Sequence, residues 1–147
     1  LETTVPKIFY TFFLARSLSV LLMVDLSEFK SKVESLLSQD YQVEFLGKNF
    51  EKTVSLLTKA KAERIYSWIG KVVSKEIQPI LIASKKPYKD WVVKDLLTFR
   101  YPFKVNNTEY RILFVKVKNS IYIEFHLGDH KYYDKIRKDL NLKKSSY

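Results

Sequence analysis

The feature that most constrains the fold is a series of three β-rich segments, separated only by short polar turns. The first runs from Trp91 to Val105, the second from Tyr110 to Val117 and the third from Ile121 to Leu127. Asn106-Asn107 and Lys118-Asn119-Ser120 lie between them. Because turns this short join neighbouring antiparallel strands, the pattern predicts a three-stranded meander.

The second of these segments has apolar side chains on both faces. Ile112 and Phe114 point to one side, and Leu113, Val115 and Val117 to the other. Since successive side chains of a strand alternate between faces, we expect a central strand that is covered on both sides.

Helical patterns precede the meander. Asp25 followed by Glu28 is typical of a helix start, and apolar residues recur at helical spacing as far as Leu37. A short alternating strand, Tyr41 to Phe45, follows, and Asn49 is a candidate cap for the next helix. The apolar stripes Phe50, Val54, Leu57 and Ala62, Ile65, Tyr66, Ile69, Val72, Val73 predict two antiparallel helices. The expected fold is therefore α+β: a helical hairpin packed on a small twisted antiparallel sheet, with an extra helix before it.

Residues 1–24 form an apolar extension, and residues 25–147 are expected to form a single domain. Arg16 interrupts the apolar run and would cost about 3 kcal/mol at the centre of a membrane helix, so no stable membrane association is expected. Because the chain begins at Leu1 and Met23 is its only methionine, the simplest interpretation is a start-site artefact with Met23 as the true start. An amphipathic or membrane-associated segment is the alternative.

The 147 residues carry a formal net charge of +10. Such a charge favours phosphate-bearing partners, namely RNA, DNA, the ribosome or an anionic membrane surface; a merely solvated basic surface is the simpler alternative. There is no cysteine, and the only histidines are His126 and His130, so thiol catalysis and a histidine-rich metal centre are excluded. Three glycines cannot form a nucleotide-binding loop, and neither a metal nor a cofactor is predicted.

A group of basic and aromatic residues along and after the late strands remains as the candidate site. Arginine and lysine bind phosphate, tyrosine stacks on bases and histidine transfers protons near neutral pH. His130 and Lys131 follow Gly128, where a strand end meets a loop. The predicted catalytic residues are Arg111, His130, Lys104 and Tyr133, and the predicted RNA-binding residues are Arg100, Lys131, Tyr132, Lys135 and Arg137.

Arg111 is the most informative of these residues, because its charge interrupts an apolar strand. One interpretation is an ion pair across the sheet with Glu44 or Glu124. The other is that Arg111 faces a cleft and binds substrate. For His126, a purely structural interpretation is a half-buried side chain whose hydrogen bonds are satisfied within the protein.

Two segments resemble the RelE/ParE superfamily of toxin–antitoxin toxins. Residues 41–45 followed by 49–52 resemble the family's opening strand and first helix, and residues 110–114 with 121–128 resemble its characteristic hairpin. The resemblance implies a small cytoplasmic toxin that is neutralised by a cognate antitoxin. RelE-like members cut messenger RNA on the ribosome, whereas ParE-like members inhibit gyrase.

The resemblance also implies roles for single residues. Arg111 matches the phosphate-binding arginine of the family's Tyr-Arg motif, and Lys104 matches a basic residue of the preceding strand. Pro102 occupies the other basic position of that strand and cannot replace it. His130 with Lys131 stands where the family has a histidine–arginine or arginine pair, and Tyr132 or Tyr133 stands in for a carboxy-terminal tyrosine.

These observations favour a metal-independent messenger RNA endoribonuclease that acts with the ribosome. In this hypothesis His130 is the acid or base, Tyr133 assists, and Arg111 and Lys104 stabilise the charge of the transition state. The alternatives are a non-enzymatic ParE-like gyrase inhibitor and a plain nucleic-acid-binding module of a mobile element.

Overall fold

The structure is a computed structural model that describes residues 22–37 and 40–143. These ranges contain four α-helices, a five-stranded sheet and a two-stranded sheet. The helices are α1 (Leu26–Leu37), α2 (Phe50–Ser55), α3 (Lys59–Val73) and α4 (His130–Asp139). The strands are β1 (Gln42–Leu46), β2 (Ile80–Leu81), β3 (Pro87–Tyr88), β4 (Trp91–Val92), β5 (Leu96–Val105), β6 (Thr108–Val117) and β7 (Tyr122–Asp129). The α+β class is confirmed.

Helix α1 begins where the sequence predicts. The Glu28 amide donates to the Asp25 carboxylate at 3.2 Å, and the hydroxyl of Ser27 donates to it as well. These two hydrogen bonds, that from Ser27 first, hold the pKa of Asp25 below its ordinary value. Phe29, Val33 and Leu37 are buried at a spacing of four residues. Burial of each contributes about 1.5–3 kcal/mol to folding.

The helical layer differs from the predicted hairpin. Helix α2 has only six residues, and the long helix α3 packs chiefly against α1. The prediction that the Asn49 side chain caps α2 is wrong, because Asn49 is left-handed (φ 61°) and its side chain makes no capping bond. Thr58 caps α3 instead, accepting a hydrogen bond from the Lys61 amide. Thr58 is extended, the backbone conformation that lets a side chain reach the first free amides of a helix.

The predicted meander is confirmed. β5, β6 and β7 are antiparallel neighbours, and the two asparagines of the first turn have the positive φ angles that tight hairpins require. The first strand is shorter than predicted: residues 93–95 form a 3-10 turn, and Trp91–Val92 pairs with Pro87–Tyr88 in the separate small sheet.

The order of the main sheet is β1-β7-β6-β5-β2. Strand β1 runs parallel to β7, so the expectation of a purely antiparallel sheet is wrong. The helices between them let the chain return in the same direction, as a parallel pair requires. Val43 and Phe45 of β1 then lie on the helical face of the sheet, where Phe45 contacts Phe50 and Phe125.

The sheet separates two hydrophobic cores. Helices α1, α2 and α3 cover one face, over Ile112 and Phe114. Helix α4 and the connector between α3 and β5, residues 74–95, cover the other face, over Leu113 and Val115. β6 is therefore the central covered strand that its sequence predicts. Tyr133 of α4 is almost fully buried in the smaller core.

Part of the predicted extension 1–24 belongs to the folded region. Met23 pairs with Thr58, and the buried Val24 donates its amide to the carbonyl of Leu57. Residues 1–21 lie outside the described residues. Over the ranges 22–37 and 40–143, no helix has the length and apolar character needed to cross a membrane.

Candidate functional site

The face of the sheet beneath α4 carries the polar residues of interest. In the ladder Arg111 lies opposite Pro102 on β5 and Gly128 on β7, and Arg100 lies opposite Leu113. Because side chains alternate along each strand, these positions share one face. Helix α4 follows β7 directly, since the strand ends at Asp129 and the helix starts at His130.

Four predicted site residues meet in what we call the arginine cluster: Arg100, Arg111, His130 and Tyr133. Nη1 of Arg111 lies 2.6 Å from Nδ1 of His130, and its guanidinium carbon lies 5.0 Å from the centre of the Tyr133 ring. Nη1 of Arg100 donates to the Tyr133 hydroxyl at 2.8 Å. Two positive charges are thus held around one phenol ring, a favourable arrangement for a guanidinium above the ring face.

The contact with Arg111 sets the tautomer of His130. A guanidinium nitrogen can only donate, so Nδ1 of His130 accepts and neutral His130 carries its proton on Nε2. The backbone here is held firmly, because the Asp129 side chain caps α4 by accepting a hydrogen bond from the Tyr132 amide at 2.9 Å. His130 itself is exposed. It therefore presents an N–H group to solvent beside a guanidinium.

The other predicted residues lie around this cluster or away from it. Lys104 is exposed and points to the same face as Arg111, nearer the β5–β6 turn. Lys131 and Lys135 are exposed on α4. Arg137 donates to Asp134 and to the carbonyl oxygen of Leu142, a structural role at the end of the helix. Its hydrogen bond holds the pKa of Asp134 below the ordinary value.

The glutamates that we considered as partners of Arg111 have other contacts. Glu44 accepts a hydrogen bond from Tyr122. Glu124 lies opposite Val115 in the ladder, four residues along β6 from Arg111, and Tyr88, Lys89 and His126 donate to it.

Glu124 is the centre of a second polar group, which we call the carboxylate network. Oε1 of Glu124 accepts from the Tyr88 hydroxyl at 2.8 Å and from Nε2 of His126 at 2.9 Å. Oε2 accepts from the ammonium group of Lys89. On the other side of its ring, Nδ1 of His126 lies 2.8 Å from the Tyr132 hydroxyl. Glu124 and His126 are both almost fully buried, so the network takes a charge into the protein interior.

Burial alone would raise the pKa of Glu124, but the hydrogen bonds from His126, Lys89 and Tyr88 outweigh it and lower the pKa to about 2. Burial raises the pKa of Tyr88 well above its ordinary value, and the hydrogen bond to Glu124 adds to the shift. Burial, together with the negative charge of Glu124, raises the pKa of Tyr132 to about 12. Both tyrosines are therefore protonated at neutral pH.

The sequence analysis missed most of this network. Only Tyr132 was predicted as a site residue, and the structure places its hydroxyl in the network rather than in the arginine cluster. A signal existed on β7, where Glu124 and His126 alternate with Ile123, Phe125 and Leu127 and so place two polar residues on one face. No spacing pattern in the sequence predicts that Tyr88 and Lys89 of the connector contact Glu124.

Two glycines permit close packing here. A Cβ on Gly128 would lie 2.4 Å from the Tyr132 ring, so its absence lets that ring lie against β7. Gly47 has a φ of +153°, and a Cβ there would lie 2.1 Å from the carbonyl oxygen of Leu127. The chain can leave β1 beside β7 only because this residue is a glycine.

A cleft of about 530 Å³ opens beside the carboxylate network. Its walls come from the end of β1, the connector and α4. Within the described ranges, no group of three or more histidine, aspartate or glutamate side chains could hold a metal ion. The residues that line the cleft are Leu46, Gly47, Lys86, Pro87, Tyr88, Lys89, His126, Tyr132, Lys135, Ile136 and Asp139.

Comparison with protein-family models, with curated proteins and with solved structures found no match to this chain.

Proposed function

We propose that the chain is a RelE-like toxin of a toxin–antitoxin system, a metal-independent endoribonuclease that cuts messenger RNA on the ribosome. The observation that carries the proposal is the 2.6 Å contact between Nη1 of Arg111 and Nδ1 of His130. It places a permanent cation beside an exposed group able to transfer a proton. A transesterification at phosphorus needs both.

The substrate phosphate would compete with His130 for Arg111. A phosphate oxygen is a stronger acceptor of charge-assisted hydrogen bonds than a neutral imidazole, so it would take the Nη1 donor. Release of that donor leaves Nδ1 of His130 with a free lone pair. Binding of the substrate therefore converts His130 into a competent base.

The reaction itself would be the attack of the RNA 2′-hydroxyl on its own 3′-phosphodiester. The new bond joins O2′ to phosphorus, and the proton of the hydroxyl passes to His130. The bond from phosphorus to O5′ breaks, O5′ takes a proton from water, and a 2′,3′-cyclic phosphate remains. Arg111, with Lys104 farther along the same face, stabilises the additional negative charge of the phosphorane.

Arg100 and Tyr133 are assigned supporting roles. Tyr133 is only 2% exposed, its ring lies against the Arg111 guanidinium, and its hydroxyl accepts from Arg100. These contacts fix the position of Arg111 rather than reach the substrate. Lys131 and Lys135 add positive charge along the exposed side of α4, where an RNA strand would approach.

After helix α1, the order of strand β1, helices α2 and α3, three short strands and the antiparallel strands β5, β6 and β7 supports the assignment to this superfamily. A toxin of this kind acts in the cytoplasm and is neutralised by a cognate antitoxin protein.

The test is expression of the chain, followed by primer extension on host transcripts. New 5′ ends within messenger RNA are expected soon after induction, and purified protein should cleave messenger RNA on added ribosomes with no metal present beyond the Mg²⁺ that the ribosome itself needs. His130→Asn should abolish both, whereas Lys118→Ala, at the opposite end of the sheet, should leave them unchanged. Intact transcripts together with DNA damage would replace this proposal with the gyrase-directed alternative.

A further inference from the structure

The carboxylate network ends at the wall of the cleft, and the proposed ribonuclease chemistry does not use it. A buried carboxylate–imidazole pair adds little to stability compared with apolar residues of the same size. Such a pair in a cleft is more often part of a functional site. Glu124 is 1% exposed and His126 is 3% exposed, so only the outer members of the network can meet a ligand.

The hydrogen bonds give the Tyr132 oxygen a defined role. The Glu124 carboxylate only accepts, so Nε2 of His126 donates to it, and Nδ1 of neutral His126 must accept. The Tyr132 hydroxyl therefore donates its proton to His126. Its oxygen keeps lone pairs for a further contact. Towards the cleft, Tyr132 is an acceptor that favours a hydroxyl group on a ligand.

The charge of the cleft wall favours an anion. Lys86, Lys89 and Lys135 line it, against a single carboxylate, Asp139. Lys89 is bonded to Glu124, whereas Lys86 and Lys135 form no ion pair with any residue in the ranges 22–37 and 40–143. Two ammonium groups are thus available to a phosphate. A volume of about 530 Å³ lies within the usual range of small-molecule sites, about 300–1,000 Å³.

We propose that this cleft binds a small phosphate ester that carries a free hydroxyl group. Lys86 and Lys135 contact the phosphate, and the Tyr132 oxygen accepts a hydrogen bond from the hydroxyl. Sugar phosphates, nucleoside monophosphates and the phosphorylated end of an RNA strand share this chemistry. The site is separate from the arginine cluster, so the proposal does not depend on ribonuclease activity.

Binding of ribose 5-phosphate to the full chain, measured by titration calorimetry, tests the proposal. Ribose lacks the phosphate that the lysines contact, and inorganic phosphate lacks the sugar hydroxyl that Tyr132 contacts. Each should therefore bind at least about tenfold more weakly than ribose 5-phosphate. Tyr132→Phe removes the accepting oxygen. It should weaken the binding of ribose 5-phosphate by about tenfold and leave the binding of inorganic phosphate unchanged. Lys135→Ala should weaken the binding of both ribose 5-phosphate and inorganic phosphate. Lys118→Ala should change the binding of neither.

Two further measurements decide the interpretation. Ribose 5-phosphate should shift the imidazole nitrogen signals of His126 in the intact protein, because the hydroxyl contact changes the hydrogen bond between Tyr132 and Nδ1. A 5′-phosphorylated trinucleotide that binds tenfold tighter than ribose 5-phosphate identifies an RNA end as the source; equal binding identifies a free metabolite. No binding of ribose 5-phosphate, or binding that Lys135→Ala leaves unchanged, overturns the proposal. Lys135 is exposed, so that variant should fold even if Tyr132→Phe does not.

Discussion

The carboxylate network and the arginine cluster lie on one face of the sheet and hold charges of opposite sign. In the carboxylate network, the buried carboxylate of Glu124 accepts hydrogen bonds from Tyr88, His126 and the exposed Lys89. In the arginine cluster, the described contacts bring two guanidinium groups to a phenol and an imidazole. The first arrangement keeps a buried carboxylate ionised, with its pKa lowered to about 2. The second places the largely buried guanidinium group of Arg111 against the exposed imidazole of His130.

The comparison predicts that substitutions in the two groups affect different properties. Changes at the centre of the carboxylate network should alter stability before anything else. Changes in the arginine cluster should alter activity while the fold persists.

Glu124→Ala should reduce the free energy of unfolding by about 4 kcal/mol, because it leaves the buried His126 and Tyr88 without the carboxylate that accepts their hydrogen bonds. Urea unfolding followed by circular dichroism measures the change. Glu44→Ala is the matched control: Glu44 is the register partner of Glu124 on β1 but is exposed, so its loss should cost less than about 1 kcal/mol. Equal effects of the two substitutions would show that the buried network around Glu124 contributes no more to stability than an exposed glutamate.

Arg111→Ala should lower the rate of RNA cleavage by about a hundredfold, equivalent to roughly 2.7 kcal/mol, by analogy with lost oxyanion donors. Stability should fall as well, by about 1–3 kcal/mol, because Arg111 is buried and contacts both Tyr133 and His130. Lysine keeps the charge but not the planar fork, so Arg111→Lys should restore activity only in part. Single-turnover cleavage and thermal melts separate the two effects. A stable and fully active Arg111→Ala protein would exclude the residue from the site.

Stability should fall in acid because of Glu124. Its folded-state pKa of about 2 lies below the ordinary value of 4.5, so its contribution is complete above pH 4.5 and is lost as the pH falls towards 2. The loss should be about 3 kcal/mol, smaller than for Glu124→Ala, since a protonated side chain still fills its space. Unfolding measured between pH 6 and pH 2 should show it. In Glu124→Gln, which cannot titrate, this part of the pH dependence should be absent.

Lys104→Ala should produce the smallest effect, a few-fold loss of RNA affinity. The side chain is exposed and would act through charge alone, so the slope of log affinity against log salt should decrease by about 0.7 for single-stranded RNA. Titrations at several salt concentrations measure that slope. Lys118→Ala lies at the other end of the sheet and serves as the control. If both variants change the slope equally, the binding is spread over the whole basic surface.

The sequence predicted those features that depend on neighbouring residues. Alternation in β6 identified its two covered faces, and the double asparagine identified the first hairpin. His130 was predicted as a site residue because it follows Gly128, where a strand end meets a loop. Each of these inferences needs only local periodicity or the register of one hairpin.

The features that the sequence did not reveal depend on distant contacts. Tyr88 and Lys89 reach Glu124 across 36 and 35 positions, from a connector without a periodic pattern. The direction of β1 also depends on packing, because an alternating pattern is the same whichever way a strand runs. Asn49 has the residue type of a helix cap, but its backbone is left-handed and its side chain makes no capping hydrogen bond.

The parallel pairing of β1 with β7 has a consequence for the order in which the chain folds. Gln42 lies beside Tyr122 in the sheet, so eighty positions of chain must be synthesised before this pair can form. Until then, β1 exposes an unpaired edge and the ring of Phe45, a segment prone to aberrant association. The β5–β6 hairpin, closed by two residues, needs no such delay. We therefore expect the meander to form the early structure during synthesis, and the docking of β1 to be the slow, late step.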